Sequence, residues 1–345
     1  MPSEWRTSAG SPDECGSCGG TEFDNDNFCV NCGTRRPASP RHSDIDLDSV
    51  AGSSDIGKRH HNNEDAMGLA VADAWCAAIV CDGVSTSSRP DTASSAAAAS
   101  GIRTMSRELD KVTDFDEAAV TAVLKRAVGA AQAGAALAAG SEVGPNPPST
   151  TLVSAIVSPA GVTVGWIGDS RAYWVPDGDI SGAGVLTVDD TLAGQLAAAG
   201  VPISDDAPNA GALLRWLGAD ATDTQPHIHT FVPDAPGRVL VCSDGLYRYA
   251  PEPTELAAIT HTGTAIDVAQ ALVSFAVTAG GHDNVTVVVL PYTGPFGAPG
   301  SRPEPGAATV PQDADGTDAI EVAEVAPDPA DRAGPPGNDA PQSPE

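Results

Sequence analysis

The sequence is poor in basic side chains. Its 18 lysine and arginine residues stand against 46 aspartate and glutamate residues, which gives a formal net charge of −28 at pH 7. A protein that binds nucleic acid through the phosphates needs clustered lysine and arginine. The composition therefore argues against nucleic-acid binding by the main body, and we expect no nucleic-acid partner.

Long apolar runs are missing as well. No run approaches the roughly 20 apolar residues that a transmembrane helix needs. Residues 1–10 contain neither the basic nor the apolar region of a secretory signal peptide. These features predict a cytoplasmic protein with no membrane partner.

Cysteine is sparse outside the N-terminal segment. Cys76, Cys81 and Cys242 lie in or beside apolar runs, where cysteine behaves as a small buried hydrophobic residue. The other four cysteines form two Cys-x-x-Cys pairs, at Cys15, Cys18, Cys29 and Cys32. Paired knuckles of this spacing in a segment too small for a core predict one structural Zn²⁺ bound by the four thiolates. A redox role and a nucleic-acid-binding ribbon are the weaker alternatives, and acidic residues surround the site.

Composition divides the chain into four parts. Residues 1–36 are predicted to form the zinc ribbon, and residues 37–43, which contain two prolines, a linker. Residues 44–292 alternate strand-like and helix-like segments and are predicted to form the main domain. Residues 293–345 are rich in proline, glycine, alanine and acidic residues, which predicts a disordered tail.

Acidic residues recur at the ends of apolar strands in the main domain. The apolar run at residues 77–81 ends in Asp82 and Gly83, and the run at 239–242 leads to Asp244 and Gly245. Further acidic sites lie near strand ends at Asp65, Asp169 and Asp283. Carboxylates without histidine or cysteine at matching positions are typical of Mg²⁺ or Mn²⁺ rather than Zn²⁺. A single Asp-Gly is usually only a turn, and Asp169 could instead form a turn closed by an ion pair with Arg171.

These segments, taken together, resemble the type 2C family of metal-dependent serine/threonine protein phosphatases. The matching segments follow in the family's order, at 54–57 (SDIG), 63–66 (NEDA), 80–83 (VCDG), 149–152 (STTL), 168–173 (GDSRAY), 242–246 (CSDGL) and 283–286 (DNVT). The resemblance implies an α+β fold, a four-layer α-β-β-α sandwich of two antiparallel sheets flanked by helix pairs. It implies phosphorylated proteins as substrates, and we hypothesise that a serine/threonine kinase and its targets are among the partners.

The resemblance also implies the site residues. Asp82 would bridge two Mn²⁺ or Mg²⁺ ions, with the Gly83 carbonyl and Asp65 completing one site and Asp244 and Asp283 the other. Asp169 matches the position of a third, weaker metal in bacterial members. Asp82 and Asp244 would thus carry catalysis, in which a metal-bound hydroxide attacks the phosphoryl group in line.

The chain departs from the family at two positions. His60 occupies the place of the usual phosphate-binding arginine, so either Arg59 or His60 is expected to contact the substrate phosphate. Val84 follows the first Asp-Gly, where eukaryotic members have a histidine, and we assign no general acid. These departures leave a second interpretation open, a weak or inactive pseudophosphatase that acts as a phosphoprotein-binding module. We further hypothesise that the ribbon and tail serve localisation or regulation, so that removing residues 1–40 leaves peptide activity nearly unchanged.

Overall fold

The computed structural model describes residues 3–9, 15, 17–24, 26–36, 39–140, 144–201, 207, 209–260 and 262–294. The tail expected at residues 293–345 lies almost wholly outside the described residues. None of the helices in the described chain is both long and apolar enough to cross a membrane.

The strands of the described chain are numbered along the sequence. They are Glu4–Thr7 (β1), His42–Asp46 (β2), Ala51–Asp55 (β3), Asp65–Ala72 (β4), Trp75–Asp82 (β5), Ser149–Thr150 (β6), Leu152–Ser158 (β7), Gly161–Ile167 (β8), Arg171–Pro176 (β9), Gly184–Val185 (β10), Leu217–Gly218 (β11), His227–Phe231 (β12), Gly237–Cys242 (β13) and Val285–Tyr292 (β14). The helices are Pro90–Leu109 (α1), Glu117–Leu137 (α2), Leu192–Ala198 (α3), Asp244–Tyr247 (α4), Pro253–Thr260 (α5) and Ala265–Ala279 (α6).

Two antiparallel sheets form the centre of the fold. The first has the strand order β1-β4-β5-β7-β8-β12, and the second has the order β10-β9-β13-β14-β3-β2. The side chains between them, such as Val80, Val153, Val241 and Val288, form one continuous apolar cluster. The strands carry apolar residues on both faces because helices cover the outer faces as well.

Helix pairs close the sandwich on each side. Helices α1 and α2 pack on the first sheet, where Ile79, Ile102 and Leu124 share a second cluster. Helices α5 and α6 cover the second sheet around Leu240 and Leu272. The predicted α-β-β-α sandwich is therefore confirmed.

Small residues let α1 and α2 approach each other closely. A Cβ atom at Gly134 would lie 2.6 Å from the carbonyl oxygen of Ala96, and one at Gly101 would lie 2.7 Å from Ile79. The alanine- and glycine-rich composition of these helices thus reflects their packing on each other and on the sheet. Asp116 caps α2 through its side chain, which accepts a hydrogen bond from the amide of Ala119.

The N-terminal boundaries differ from those expected. Strand β1 pairs with β4 over its whole length, with Trp5 opposite Ala70, so residues 4–7 belong to the first sheet and not to a separate ribbon. Strand β2 begins at His42, within the expected linker, and pairs with β3. The described residues of the cysteine segment and the sandwich fall in one compact unit.

Candidate active site

The acidic residues of the two sheets meet at one edge of the sandwich. Asp65 is the first residue of β4 and Asp82 the last of β5, and they are register partners. Asp244 begins α4 directly after β13, and Asp283 lies just before β14. The Ser243 hydroxyl donates a 2.7 Å hydrogen bond to Oδ2 of Asp65, which joins the two sheets at this point.

Two asparagines fix the loops that carry these carboxylates. The amide of Glu64 donates to Oδ1 of Asn284 at 2.7 Å, and Nδ2 of Asn284 donates to the carbonyl of Ile56 at 2.8 Å. Oδ1 of Asn63 accepts from the amide of Asp65 at 3.2 Å. Asn63, near Asp65, and Asn284, beside Asp283, therefore have a structural role.

Two glycines are required by close contacts. A Cβ atom at Gly83 would lie 2.8 Å from both the carbonyl oxygen of Glu64 and Cβ of Pro90. At Gly245 it would lie 1.9 Å from the carbonyl oxygen of Asn284. In each Asp-Gly pair the glycine thus leaves room for the backbone of the facing loop.

The electrostatics of this cluster favour a bound cation. Burial raises the pKa of Asp65 to about 7, although the hydrogen bond from Ser243 lowers it in part. Burial, then the charge of Asp65 and of the other aspartates, raises the pKa of Asp82 well above its ordinary value. Burial also raises the pKa of Asp244, although Arg248 opposes the shift. Cations relieve the repulsion of such a carboxylate set.

One oxygen of Asp65 supports the same conclusion. Asp65 is 1% exposed, and its Oδ1 is buried without a hydrogen-bond partner among the described residues. A buried carboxylate oxygen without a donor is costly unless a cation or water satisfies it. The residues present therefore fit a divalent cation with oxygen ligands.

Asp169 lies at the border of this cluster. Burial, followed by the charges of Asp244 and Asp189, raises its pKa to about 7. Arg171 does not close a turn with it, because both guanidinium ends bind Asp189, at 2.9 and 2.8 Å. Tyr247 donates its hydroxyl proton to the Asp169 carbonyl at 2.9 Å.

The two candidate phosphate-binding residues point in different directions. Nε2 of His60 lies 3.1 Å from Oδ1 of Asp283, at the acidic cluster. Nη2 of Arg59 lies 2.8 Å from Nε2 of His282. Arg248, which the sequence did not single out, contacts Oδ2 of Asp244 and lies 3.8 Å from Oδ2 of Asp283. Its position four residues after Asp244 on a helical turn is the one signal that could have indicated it.

The four N-terminal cysteines form a second possible metal site. Their sulfur atoms all lie within 4.8 Å of one another, which holds for no other group of three or more potential ligands in the described part of the chain. The Cys15–Cys32 and Cys18–Cys29 sulfur atoms are 3.6 and 3.5 Å apart. That spacing is far too long for a disulfide, at about 2.05 Å, and close to the edge of about 3.8 Å that a tetrahedral ZnS₄ site has with Zn–S bonds of about 2.3 Å.

The two Cys-x-x-Cys knuckles have the same backbone conformation. The amides of Gly19 and Gly33 donate to the carbonyls of Cys15 and Cys29, both at 2.8 Å. Both glycines have positive φ, 70° and 72°, a conformation that favours glycine. Each Cys-x-x-Cys pair is therefore turned the same way around the shared centre.

Comparison with known proteins agrees with this geometry. Residues 51–275 match the model of the family described as protein phosphatase 2C. The serine/threonine phosphatase Stp of Listeria welshimeri is 30% identical over 244 residues, which cover 68% of this chain and 92% of that protein.

Solved structures extend the comparison to the fold. The serine/threonine phosphatase MsPP of Mycobacterium smegmatis, solved with cacodylate, has a TM-score of 0.55 at 28% identity and covers 71% of this chain and 98% of that chain. The catalytic domain of the phosphatase PstP, solved with two manganese ions, has a TM-score of 0.53 at 28% identity and covers 70% of this chain and 96% of that chain. The chain thus belongs to the protein phosphatase 2C family of metal-dependent serine/threonine phosphatases.

Proposed function

We propose that this chain hydrolyses phosphoserine and phosphothreonine in proteins with two Mn²⁺ or Mg²⁺ ions held by its aspartates. The observation that carries the proposal is that Asp65 and Asp82 of the first sheet lie close enough to Asp244 and Asp283, beside the second sheet, for the charges of these two to add to burial in raising the pKa of Asp65 and Asp82. Ser243 is hydrogen-bonded to Asp65 between them. Oxygen-rich acidic clusters of this kind suit hard divalent cations. The manganese-bound relative PstP supports the choice of cation.

Each acidic residue has an assigned task in this proposal. Asp82 would be a ligand of both ions, Asp65 and the Gly83 carbonyl would complete one site, and Asp244 and Asp283 would complete the other. Asp169 borders the cluster and would serve a third, weaker site. Divalent ions held by these residues would supply an activated water as the nucleophile and would neutralise charge on the phosphoryl oxygens.

The surrounding residues hold the ligands in place. The hydroxyl of Thr150 and the amide of Thr151 both donate to the Asp82 carbonyl, each at 2.8 Å. Because these bonds fix the end of β5, the Asp82 side chain is positioned before any ligand arrives, which reduces the cost of binding. No side chain is assigned to protonate the leaving hydroxyl.

The pseudophosphatase remains the second candidate because His60 and Val84 replace residues usual in the family. His60 contacts Asp283 in the structure, a contact that lets it influence the second ion site. Against this candidate stands the full set of buried, mutually repelling carboxylates, which a protein without turnover has no reason to keep.

We propose that the four cysteines bind one structural Zn²⁺, and that the protein acts in the cytoplasm on phosphorylated proteins, among them a serine/threonine kinase and its targets. The support is the sulfur spacing and the matched knuckles for zinc, and the names of the bacterial relatives for the substrate class.

The experiment is phosphate release from a phosphothreonine peptide, with Mn²⁺, with EDTA, and with Asp244→Asn. We expect turnover with Mn²⁺, none with EDTA, and a loss of at least a hundredfold, on the order of 3 kcal/mol in activation free energy, in the variant. Asp114→Asn, on an exposed turn before α2, is the control and should retain full activity. Mn²⁺ binding without turnover in the unmodified chain would favour the pseudophosphatase.

A further inference from the structure

Arg248 occupies an unusual position beside the acidic cluster. It follows α4, and its guanidinium contacts Asp244 and approaches Asp283, the two aspartates assigned to one ion site. Its side chain is 55% exposed, whereas those of Asp244 and Asp283 are 12% and 25% exposed. The arginine thus lies on the solvent side of these two carboxylates.

His60 lies on the same aspartate. Its Nε2 is 3.1 Å from Oδ1 of Asp283, while Nη1 of Arg248 is 3.8 Å from Oδ2. The two side chains therefore converge on opposite oxygens of one carboxylate. Arg59 is hydrogen-bonded to His282 instead. Arg248 is therefore the arginine that shares Asp283 with His60, the residue that replaces the usual phosphate-binding arginine.

We propose that Arg248 is the residue of this chain that binds the substrate phosphate, and that without divalent cations the same guanidinium neutralises Asp244 and Asp283. The proposal rests on the proposed function, because it takes these aspartates as cation ligands and a phosphomonoester as substrate. Once the two carboxylates bind a divalent cation, they no longer attract the guanidinium, and the like charge of the cation repels it.

The chemistry of arginine suits the binding of a phosphate group. A guanidinium presents paired N–H donors that match two oxygens of a phosphate, and it stays protonated at every physiological pH. The imidazole of His60 lacks this paired arrangement of donors, because each ring nitrogen offers at most one. Because the long side chain of Arg248 is 55% exposed, it can exchange a carboxylate for a phosphate by rotation about its own bonds, without movement of the α4 backbone.

The test uses the full chain with Arg248→Ala, Arg248→Lys and the control Arg103→Ala, which alters an exposed arginine on α1. Calorimetric titration gives the Kd of Mn²⁺ and then the Kd of inorganic phosphate for the Mn²⁺-loaded protein. Steady-state kinetics on a phosphothreonine peptide give KM and kcat separately.

In Arg248→Ala we expect the Kd of phosphate and the KM to rise about tenfold to a hundredfold, the range for lost hydrogen bonds to a charged group. We expect kcat to change less than about threefold, since ground-state and transition-state binding are lost together. Mn²⁺ should bind about twofold to fivefold more tightly, because a half-exposed ion pair no longer competes. Arg248→Lys should restore part of the phosphate affinity.

An unchanged Kd of phosphate and an unchanged KM in Arg248→Ala would overturn the proposal, as would equal losses in Arg103→Ala. If the unmodified chain binds Mn²⁺ and phosphate but does not turn over the peptide, the proposed function fails. The comparison of phosphate Kd values still decides the role of Arg248 in that case.

Discussion

Asp65 and Asp82 face each other as register partners at the end of β4 and β5. Like charges directly opposite each other destabilise a sheet. In the proposed function, a cation bound by both carboxylates would offset this repulsion.

The first prediction concerns stabilisation by metal. At free Mn²⁺ about a hundred times its Kd, binding adds about 2.7 kcal/mol to the free energy of unfolding. For a domain of this size we expect a rise in Tm of about 5–10 °C. Asp82→Asn should lose most of that rise, because it removes the shared ligand, while Asp114→Asn should keep it. Differential scanning calorimetry measures both, and a full shift in Asp82→Asn would contradict the assignment.

The second prediction concerns the metal-free protein and pH. The pKa values of Asp65 and Asp169 are about 7 in the folded chain, against an ordinary value of 3.8. Between these values the folded state binds more protons than the unfolded state, so the free energy of unfolding falls as pH rises from about 4 to about 7. Above pH 7 this contribution is constant.

Urea unfolding in EDTA across that pH range measures the slope. Asp65→Asn and Asp169→Asn should each show a shallower fall than the unmodified chain, since each removes one of the titrating groups. Equal slopes in all three proteins would show that these two carboxyls do not titrate in the range assigned to them.

The third prediction concerns the Asp-Gly turn at the start of α4. In Gly245→Ala the new methyl group would lie 1.9 Å from the Asn284 carbonyl oxygen. We expect a loss of about 1–3 kcal/mol in the free energy of unfolding from overpacking, together with weaker Mn²⁺ binding, because α4 and the Asp283 loop must separate. Gly129→Ala on the exposed face of α2, where nothing lies within 4 Å of the new methyl group, should gain up to about 1 kcal/mol. Chemical denaturation distinguishes the two variants.

The fourth prediction concerns the link between the Asp189 loop and α4. Arg171 binds Asp189 through Nε and Nη2. Its guanidinium carbon lies 3.7 Å from the centroid of the Tyr247 ring. A double-mutant cycle of Arg171→Ala and Asp189→Asn should give a coupling free energy of about 1–3 kcal/mol, since the pair is largely shielded from water. A coupling below about 0.3 kcal/mol would mean that the two residues act independently.

The fifth prediction concerns zinc. The purified chain should contain one zinc per molecule by elemental analysis, and Cys18→Ser should lose it, because zinc sites of this type need all four thiolates. Cys76→Ala, which removes a thiol from β5, should retain the zinc. A chain with no zinc and a disulfide between the knuckles would contradict the assignment.

We expect truncation of residues 1–40 to lower stability, while the hypothesis that peptide activity stays nearly unchanged remains a prediction. The deletion removes β1, and with it the pairing to β4 and the 2.9 Å bonds between Ser8 and Met67. The Tm of the truncated chain measures the loss of stability, and peptide activity per folded molecule measures any separate effect on catalysis.

The strand ends of the main domain were predictable because an apolar run that stops at Asp-Gly is a local signal. The strand that the apolar run at residues 77–81 predicts is observed at Trp75–Asp82. The layer order followed from the family resemblance. The observed adjacency of Asp65 and Asp82 agrees with the site it implied.

Features that depend on distant residues were missed. Strand β1 is four residues long and largely exposed, so no hydrophobic alternation marks it. No local pattern in the sequence marks the contact of His227 with Asp190, in which Nε2 lies 2.9 Å from Oδ1 of a residue 37 positions away. Arg248 was overlooked because its contact with Asp283 exists only once β13 and β14 pair.

The path of the chain between β1 and β2 has a consequence for aggregation. β1 covers the outer edge of β4 in one sheet, and β2 forms the outer edge of the other, so the cysteine segment links the two sheets at their margins. Zinc would order that link and keep its ends close. Without zinc, release of β1 would expose the unpaired backbone of β4 beside apolar residues such as Leu69, a surface that invites strand pairing between molecules. The cysteine knuckles would then protect solubility as well as shape.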